Sequence, residues 1–336
     1  MKTHSIRKIC FLFFLCLALL VRPGKVDAEN RWEAAARKEG GKITWYTSLN
    51  ITTSKPIVDR FQKKYPFLKV MLYRASAERI LNRVMTEERA GGGFFDVVST
   101  QAVFFFKKEG LLAKYRSPEV GAYPKRAYDP EGYWVGFFAN RFAIGYNSDL
   151  VKGAQVPKDW TDLLHPRWHG NLGIDSEEFI WYGAMLKYLG EEKGKSFMKK
   201  LARQEIQWRK GHTLIAQMMA VGEFPVAIIY THRIDDMRSK DAPVNWVRTA
   251  DPIVMAMSAM GISAKTKAPA SSRLFTDYAL SAEAQSIIKA SGRNSERRDM
   301  QRRGDEDLKT FIIPPEVLTN VNHYVKEFNA IFHGGR

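Results

Sequence analysis

The chain has 336 residues, a formal net charge of +16 at neutral pH, 45% hydrophobic residues and two cysteines. Two cysteines exclude a disulfide-rich scaffold, and the hydrophobic content excludes an intrinsically disordered chain. Because a single hydrophobic core stops growing at about 250–300 residues, this length favours two lobes.

The positive charge does not by itself indicate a nucleic-acid-binding protein. Basic residues are scattered along helical stretches such as 191–203, where acidic residues interleave. No aromatic-basic module typical of nucleic-acid binders is present in the sequence. A solvated basic surface is the favoured interpretation, an anionic ligand or surface is the alternative, and we expect no nucleic-acid partner.

The first residues, 1–28, are typical of a cleaved signal peptide. A positively charged start precedes an apolar run at 9–21, and Val26 and Ala28 place small residues where a signal peptidase cuts. The apolar run is shorter than the roughly 20 residues that a membrane-spanning helix needs. Both cysteines lie in this segment. We therefore predict a periplasmic protein that depends on packing and not on disulfides.

Strands and helices alternate over the first part of the mature chain. The patterns predict, in order, a strand at 42–46, a helix at 55–65, a strand at 68–73, a helix capped by Ser76 that ends at Arg89, and a strand at 95–99. This alternation of strands and helices favours a parallel sheet. Ligands bind beyond the carboxyl ends of such strands, which singles out the loops at 47–50, 75–76 and 99–101.

Two long extended runs, at 133–147 and 253–262, bracket a second α/β region that includes a strand at 225–230. The first run is too long for one ordinary strand. The two runs indicate that one lobe is inserted into the other and that two crossover strands join them. Helices are predicted for the tail, around 271–280, 282–291 and 315–332.

Six segments in this order resemble the periplasmic solute-binding proteins of ABC transporters, in the two-lobed type II class, and within it the ferric-iron-binding branch. The resemblance covers nearly the whole mature chain and depends on residues 43–46, 78–96, 141–146, 160–170, 221–230 and 261–267. It implies an α/β fold in which each lobe has a mixed sheet flanked by helices. The implied division is a signal peptide at 1–28, the first lobe at 29–139, the second lobe at 140–250, and a return to the first lobe with C-terminal helices at 251–336.

The resemblance implies a monomer that captures a small solute between its lobes and presents the closed form to an ABC permease in the inner membrane. A receptor for a membrane sensor and an enzyme on the same fold are the alternatives. No Gly-x-Ser-x-Gly elbow, metalloprotease helix or Walker loop is present in the sequence, so we expect no enzymatic activity.

Members of the iron branch bind Fe(III) through two adjacent tyrosines, a first-loop histidine or tyrosine, and a glutamate. Phenolate and carboxylate oxygens suit this hard, highly charged ion. The corresponding positions here hold His232 and Arg233, Asn50, and Gln101, so the usual ligands are largely replaced. Fe(III) is possible as the transported ligand, and no other cofactor is expected. A rearranged iron site would draw on Tyr46, Tyr182, Tyr230 and His232.

The replacements are neutral or positive hydrogen-bonding groups, which suit a solute that carries a phosphate, phosphonate or carboxylate. The predicted ligand-binding residues are Thr47, Ser48, Asn50, Ser76 and Gln101 in the first lobe, and Arg141, Ser176, Tyr230, His232 and Arg233 in the second lobe and the hinge.

The acidic run at 175–178 opposes a purely anionic ligand. These carboxylates either favour the N-terminus of the next helix or face the cleft, where they would prefer a cation or an amine. A zwitterionic solute would satisfy both groups of residues. His212 precedes another predicted helix; capping or surface contact is favoured there, with contact in the cleft as the alternative.

Overall fold

The computed structural model describes residues 32–302 and 304–334. The predicted signal peptide at 1–28 lies outside the described residues. The strands form one continuous sheet in the order β2-β1-β3-β10-β5-β8-β6-β7, with β4 and β11 beside β10 and β9 beside β5. Their bounds are β1 Lys42–Thr47, β2 Lys69–Arg74, β3 Val97–Thr100, β4 Leu112–Ala113, β5 Val135–Asn147, β6 Leu172–Asp175, β7 Gln207–Arg209, β8 Val226–Tyr230, β9 Val244–Trp246, β10 Ile253–Ser263 and β11 Thr310–Ile312.

Helices flank this sheet on both faces. Within the described ranges, every helix is too short or too polar to span a bilayer. The segment Trp160–Leu164 is a short 3₁₀ helix that Asp159 caps. The α-helices are α1 Ile51–Lys64, α2 Ala77–Arg89, α3 Val103–Lys108, α4 Phe179–Leu189, α5 Glu191–Ala202, α6 His212–Ala220, α7 Thr231–Arg238, α8 Pro269–Leu280, α9 Ala282–Ala290, α10 Pro315–Thr319 and α11 Val321–Phe332.

The first lobe is built on the parallel strands β2, β1 and β3. Helices cover both faces of these strands, so apolar side chains point in both directions. On one face Trp45 packs against Phe137 and Phe275. On the other face Tyr46 packs against Phe95. The predicted alternation of parallel strands and helices is confirmed.

Two crossover strands connect the lobes, as the long extended runs predict. β5 has 13 residues, which corresponds to about 43 Å, far longer than an ordinary strand. β10 pairs antiparallel with β5 and also reaches β3 in the first lobe. The C-terminal half of β5 pairs with β8 in the second lobe. The expected lobe boundary between residues 139 and 140 falls inside β5.

The second lobe continues from β8 through β6 to β7 in parallel pairings. Its core includes Trp160 and Trp181, whose rings lie 5.4 Å apart. The last helix, α11, packs on this lobe, where Phe328 contacts Phe179 with ring centroids 5.2 Å apart. Helices α8 and α9 instead belong to the core of the first lobe. The tail therefore contributes to both lobes.

A buried ion pair ties the C-terminal segment to the crossover. Nη1 of Arg141 lies 2.6 Å from Oδ2 of Asp305, and both side chains are almost completely buried. The second carboxylate oxygen, Oδ1, accepts a hydrogen bond at 2.8 Å from the half-exposed Arg248. Burial opposes ionisation, but Arg141 and Arg248 outweigh it and lower the pKa of Asp305. Asp305 is therefore ionised at neutral pH.

Asp305→Asn is expected to lower the free energy of unfolding by about 3–5 kcal/mol, because it leaves the buried Arg141 without its charge partner. Urea unfolding monitored by circular dichroism measures this. Asp307→Asn, at an exposed aspartate two residues away, is the matched control and should be close to neutral. Equal stabilities for both variants would show that the pair contributes little.

Candidate functional site

A cleft of about 480 Å³ lies between the two lobes. It lies beyond the carboxyl ends of the strands, where ligands bind in α/β sheets. One wall comes from the first lobe, with Ser76 and Gln101, and the opposite wall comes from the second lobe. Three of the predicted ligand-binding residues, Ser76, Gln101 and Tyr230, line this cleft.

Ser76 precedes α2 and caps it, as predicted. Its hydroxyl accepts a hydrogen bond from the backbone N–H of Arg79 at 3.3 Å. The cap satisfies one of the free N–H groups at the start of the helix. Gln101 is half-buried just after β3. These residues place polar groups at the carboxyl ends of the strands of the first lobe.

The end of β1 and the loop after it hold the other three predicted residues of the first lobe. Thr47 is buried, and its hydroxyl is 2.7 Å from that of Ser99, which gives it a structural partner. The Ser48 hydroxyl lies 3.4 Å from that of Ser258 on the crossover strand β10. Asn50 precedes α1, and its buried Oδ1 has no hydrogen-bond partner. None of these three lines the cleft described above.

The second lobe supplies an acidic group at the end of β6. Asp175 accepts backbone hydrogen bonds from Glu177 at 3.0 Å and from Gly211 at 2.8 Å. Glu178 is almost fully buried, and burial together with the Asp175 charge raises its pKa well above the usual range. Both carboxylates line the cleft. Ser176 is half-buried, donates its backbone N–H to Arg209, and does not line it.

His212 also lines the cleft, beside Glu178. Its Nε2 lies 3.1 Å from Oε1 of Glu178, although the two atoms lack hydrogen-bond geometry. Burial, with the charge of Arg233, lowers the pKa of His212 to about 3. The imidazole is therefore neutral, and its contact with Glu178 is not an ion pair.

Tyr230, at the end of β8, is close to this acidic group and to a basic group of residues. Its ring centroid is 3.7 Å from that of His212, and the ring of His232 stacks against it at 5.5 Å. Burial, with the charges of Glu178 and Asp175, raises the pKa of Tyr230 above its usual range. The phenol is protonated at neutral pH and can donate a hydrogen bond.

Three arginines, Arg74, Arg233 and Arg293, form the basic group, which we term the arginine cluster. Burial, then the charges of Arg233 and Arg74, lower the pKa of Arg293 to about 10. Nη1 of Arg293 donates to the Asn140 side chain at 2.9 Å. No carboxylate among the described residues forms an ion pair with any of the three, whereas the neighbouring Arg302 pairs with Asp235.

The arginine cluster draws on separate parts of the fold. Arg74 ends β2 beside Thr47 in the first lobe, and Arg233 lies in α7 of the second lobe. Arg293 follows α9 and is held against the crossover by Asn140. Nε of Arg233 is buried and has no hydrogen-bond partner among the described residues. Arg74 is exposed, and none of the three arginines lines the cleft described above. Guanidinium groups without a carboxylate partner are suited to binding an anion.

The model of the family described as bacterial extracellular solute-binding protein matches residues 91–306, well over half of the chain. The chain belongs to this family. A solute-binding protein of the ABC importer type was expected from the resemblance, and that expectation is confirmed. The matched family consists of solute-binding proteins and not of enzymes.

Curated relatives share limited identity with this solute-binding protein. An uncharacterized protein of Haemophilus influenzae is 23% identical over 274 residues, which cover 75% of this chain and 76% of that protein. An Fe(3+)-binding periplasmic protein of Serratia marcescens is 22% identical over 270 residues, which cover 76% and 78% of the two chains.

Solved structures share the fold at low sequence identity. Iron-bound HitA from Pseudomonas aeruginosa has a TM-score of 0.74 at 18% identity, covering 86% of this chain and 99% of that chain. AfuA from Actinobacillus pleuropneumoniae, with fructose-6-phosphate bound, has a TM-score of 0.72 at 18% identity, covering 87% and 99%. The predicted two-lobed type II fold is confirmed.

The residues considered for a rearranged iron site do not converge in this solute-binding protein. The Tyr46 hydroxyl donates to Glu87 at 2.7 Å and accepts from Arg83 at 3.0 Å, inside the first lobe. Burial and Glu87 raise the pKa of Tyr46 to about 12. Tyr182 lies in the core of the second lobe against Phe328. Only Tyr230 and His232 of that set lie near each other.

Arg141 does not reach the cleft, because its guanidinium is buried against Asp305.

The sequence did not single out Arg74 or Arg293. Arg74 stands at the carboxyl end of a predicted strand, and this position could have revealed it. Arg293 lies in a loop with no local pattern, so only the tertiary structure shows its place beside Arg233. The sequence left open whether Asp175, Glu178 and His212 face the cleft. In the structure all three line it.

The pH dependence of stability is expected to report on His232. The residue is buried, and neither ring nitrogen has a hydrogen-bond partner among the residues that the structure describes. Burial, with the charges of Arg293 and Arg233, holds its pKa well below the usual range. Below about pH 6.5 the unfolded chain binds a proton there that the folded chain does not, so stability falls by about 1.4 kcal/mol per pH unit.

His232→Gln should therefore lose less stability than the wild type as the pH is lowered from 7 to 5. Urea unfolding of both proteins at pH 7, 6 and 5, without added solute, measures the difference. Parallel pH profiles for the two proteins would contradict this account of His232.

Proposed function

We propose that this solute-binding protein captures a small organic solute that carries a phosphate, phosphonate or carboxylate, and that the arginine cluster binds that group. One observation carries the proposal: the charges of Arg233 and Arg74 act on Arg293 and lower its pKa, while no carboxylate among the described residues forms an ion pair with any of the three. Three neighbouring cations repel, and an anion with several oxygens offsets this repulsion through charge-assisted hydrogen bonds.

The position of the cluster explains how a ligand would favour closure. A ligand stabilises the closed state only through contacts that the open state lacks. Because Arg74 belongs to the first lobe and Arg233 to the second, one anion held by both arginines makes such contacts. We propose that the closed, monomeric form is then presented to an ABC permease in the inner membrane.

The neutral polar groups add specificity for an organic ligand. Ser76, Gln101 and the protonated Tyr230 line the cleft and can bond hydroxyl or carbonyl groups of the solute. Asn50 and His232 keep unpartnered polar atoms. Thr47, Ser48 and Ser176 remain proposed only as supporting residues of the ligand-binding loops, and Arg141 as a hinge residue.

The comparisons support both an anionic and a ferric ligand. AfuA is described with a bound sugar phosphate, and HitA with bound iron. Ferric iron is the second candidate because the Serratia marcescens relative is an Fe(3+)-binding protein. The arginine cluster favours the anion, since positive side chains at the proposed site repel a free ferric ion.

Native mass spectrometry of protein purified from its own host is expected to show an organic adduct with a phosphate, phosphonate or carboxylate group. Elemental analysis of the same sample tests for iron. Stoichiometric iron with the visible colour of iron tyrosinate, and no organic adduct, would contradict the proposal in favour of the ferric ligand.

Arg233→Ala and Arg293→Ala are each expected to weaken binding of that solute at least tenfold, because each removes a charge-assisted hydrogen bond of about 1.5–3 kcal/mol. Isothermal titration calorimetry on ligand-free protein measures the affinity, and circular dichroism checks the fold. Arg89→Ala, at an exposed arginine at the end of α2, is the control. Unchanged affinity in both cluster variants would place the anion elsewhere.

A further inference from the structure

We propose that Asp175, Glu178 and His212 form a binding site for a divalent metal ion on the wall of the cleft that belongs to the second lobe. Each residue offers one ligand atom, and the three atoms lie within 4.8 Å of one another. Ligand atoms at about 2.0–2.2 Å from a shared ion are roughly 3–4 Å apart. The contact of 3.1 Å between Glu178 Oε1 and His212 Nε2 matches this spacing.

The second observation is an unpartnered buried carboxylate. Glu178 is 2% exposed, lines the cleft, and its Oε1 has no hydrogen-bond partner in the part of the chain that the structure describes. Neither Glu178 nor Asp175 pairs with a lysine or arginine among the described residues, whereas the adjacent Glu177 pairs with Lys210. A buried carboxylate without a partner is costly. A bound cation would offset that cost.

The donor set favours a metal ion with affinity for imidazole. Two carboxylates and one imidazole suit zinc, manganese or ferrous iron, whereas calcium and magnesium prefer oxygen ligands alone. An ammonium group is less well matched, because one of the three groups is a ring nitrogen. Ligand positions left open would face the cleft, where water or oxygens of a solute can occupy them.

The surroundings of the three side chains hold them in place. The N–H groups of Glu177 and Gly211 orient the Asp175 carboxylate and leave lone pairs for an ion. Tyr230 packs on the His212 ring at 3.7 Å, and Phe142 contacts the same ring edge-on at 5.9 Å. Surrounding residues that orient the metal-coordinating side chains in this way are typical of metal sites.

The proposed metal site does not depend on the arginine cluster. It lies on one lobe and is complete without closure, so a metal ion can bind whether or not the anionic solute does. Titration with zinc alone therefore tests it, and failure to bind a phosphate-bearing solute has no bearing on the result.

Isothermal titration calorimetry of untagged, chelator-treated protein with Zn²⁺ and with Mn²⁺ is the experiment. One ion per chain is expected, and His212→Gln and Glu178→Gln should each weaken binding at least tenfold. His169→Gln is the matched control, because His169 also lies beside a carboxylate, Glu205 at 3.3 Å, but on the exposed surface. Its zinc affinity should equal that of the wild type.

Co²⁺ gives a second readout that does not depend on affinity. Its visible bands should appear on binding to the wild type and change in intensity or position in His212→Gln, with unfolding curves confirming that the variant folds. Absence of Zn²⁺ and Mn²⁺ binding in the wild type would overturn the proposal. Equal loss of binding in His169→Gln would overturn it as well, by placing the ion on the surface.

Discussion

The pairing of β5 with β10 is the constraint on which the cleft depends. These two strands run antiparallel from residue 135 to residue 142 and from 260 back to 254, and each continues into pairings with a different lobe. Their shared register sets which strand ends face each other across the cleft. The Arg141–Asp305 pair, buried beside this crossover, anchors the C-terminal segment there. A change at the crossover would therefore move both walls of the site.

The charge distribution of the cleft follows from this arrangement. The carboxylates lie at the end of β6 and just after it, whereas Arg74 ends β2 and Arg233 follows β8. Because β6 and β8 run opposite to β2 in the sheet, the carboxyl ends of the strands of the two lobes face each other. The charges of both groups act on Tyr230 and affect its pKa. Carboxylates and arginines do not pair with each other here among the described residues, which is why each group is proposed to bind a ligand of its own.

The sequence predicted the features that depend on local patterns. The Ser76 cap, the parallel strands of the first lobe and the two crossover strands each have a signature of a few neighbouring residues. Arg141 shows the limit of such reasoning, since its partner Asp305 is 164 residues away and nothing local indicates the pair. The sequence could not show that Tyr46 and Tyr182 lie apart, for the same reason. An aromatic residue has the same sequence pattern whether it packs in a core or binds a ligand.

The residues that replace the iron ligands of the iron branch differ from those ligands in charge. Phenolate and carboxylate ligands stabilise Fe(III) by bringing negative charge to it, whereas Arg233, with Arg74 and Arg293 nearby, brings positive charge. A bare ferric ion would meet repulsion there instead of compensation. The carboxylates Asp175 and Glu178 line the cleft together with His212, whereas none of the three arginines lines it. Any metal ion held there would have a softer ligand set than the iron branch provides. The chain thus shares the fold of that branch, while different residues carry the positive and the negative charges near its cleft.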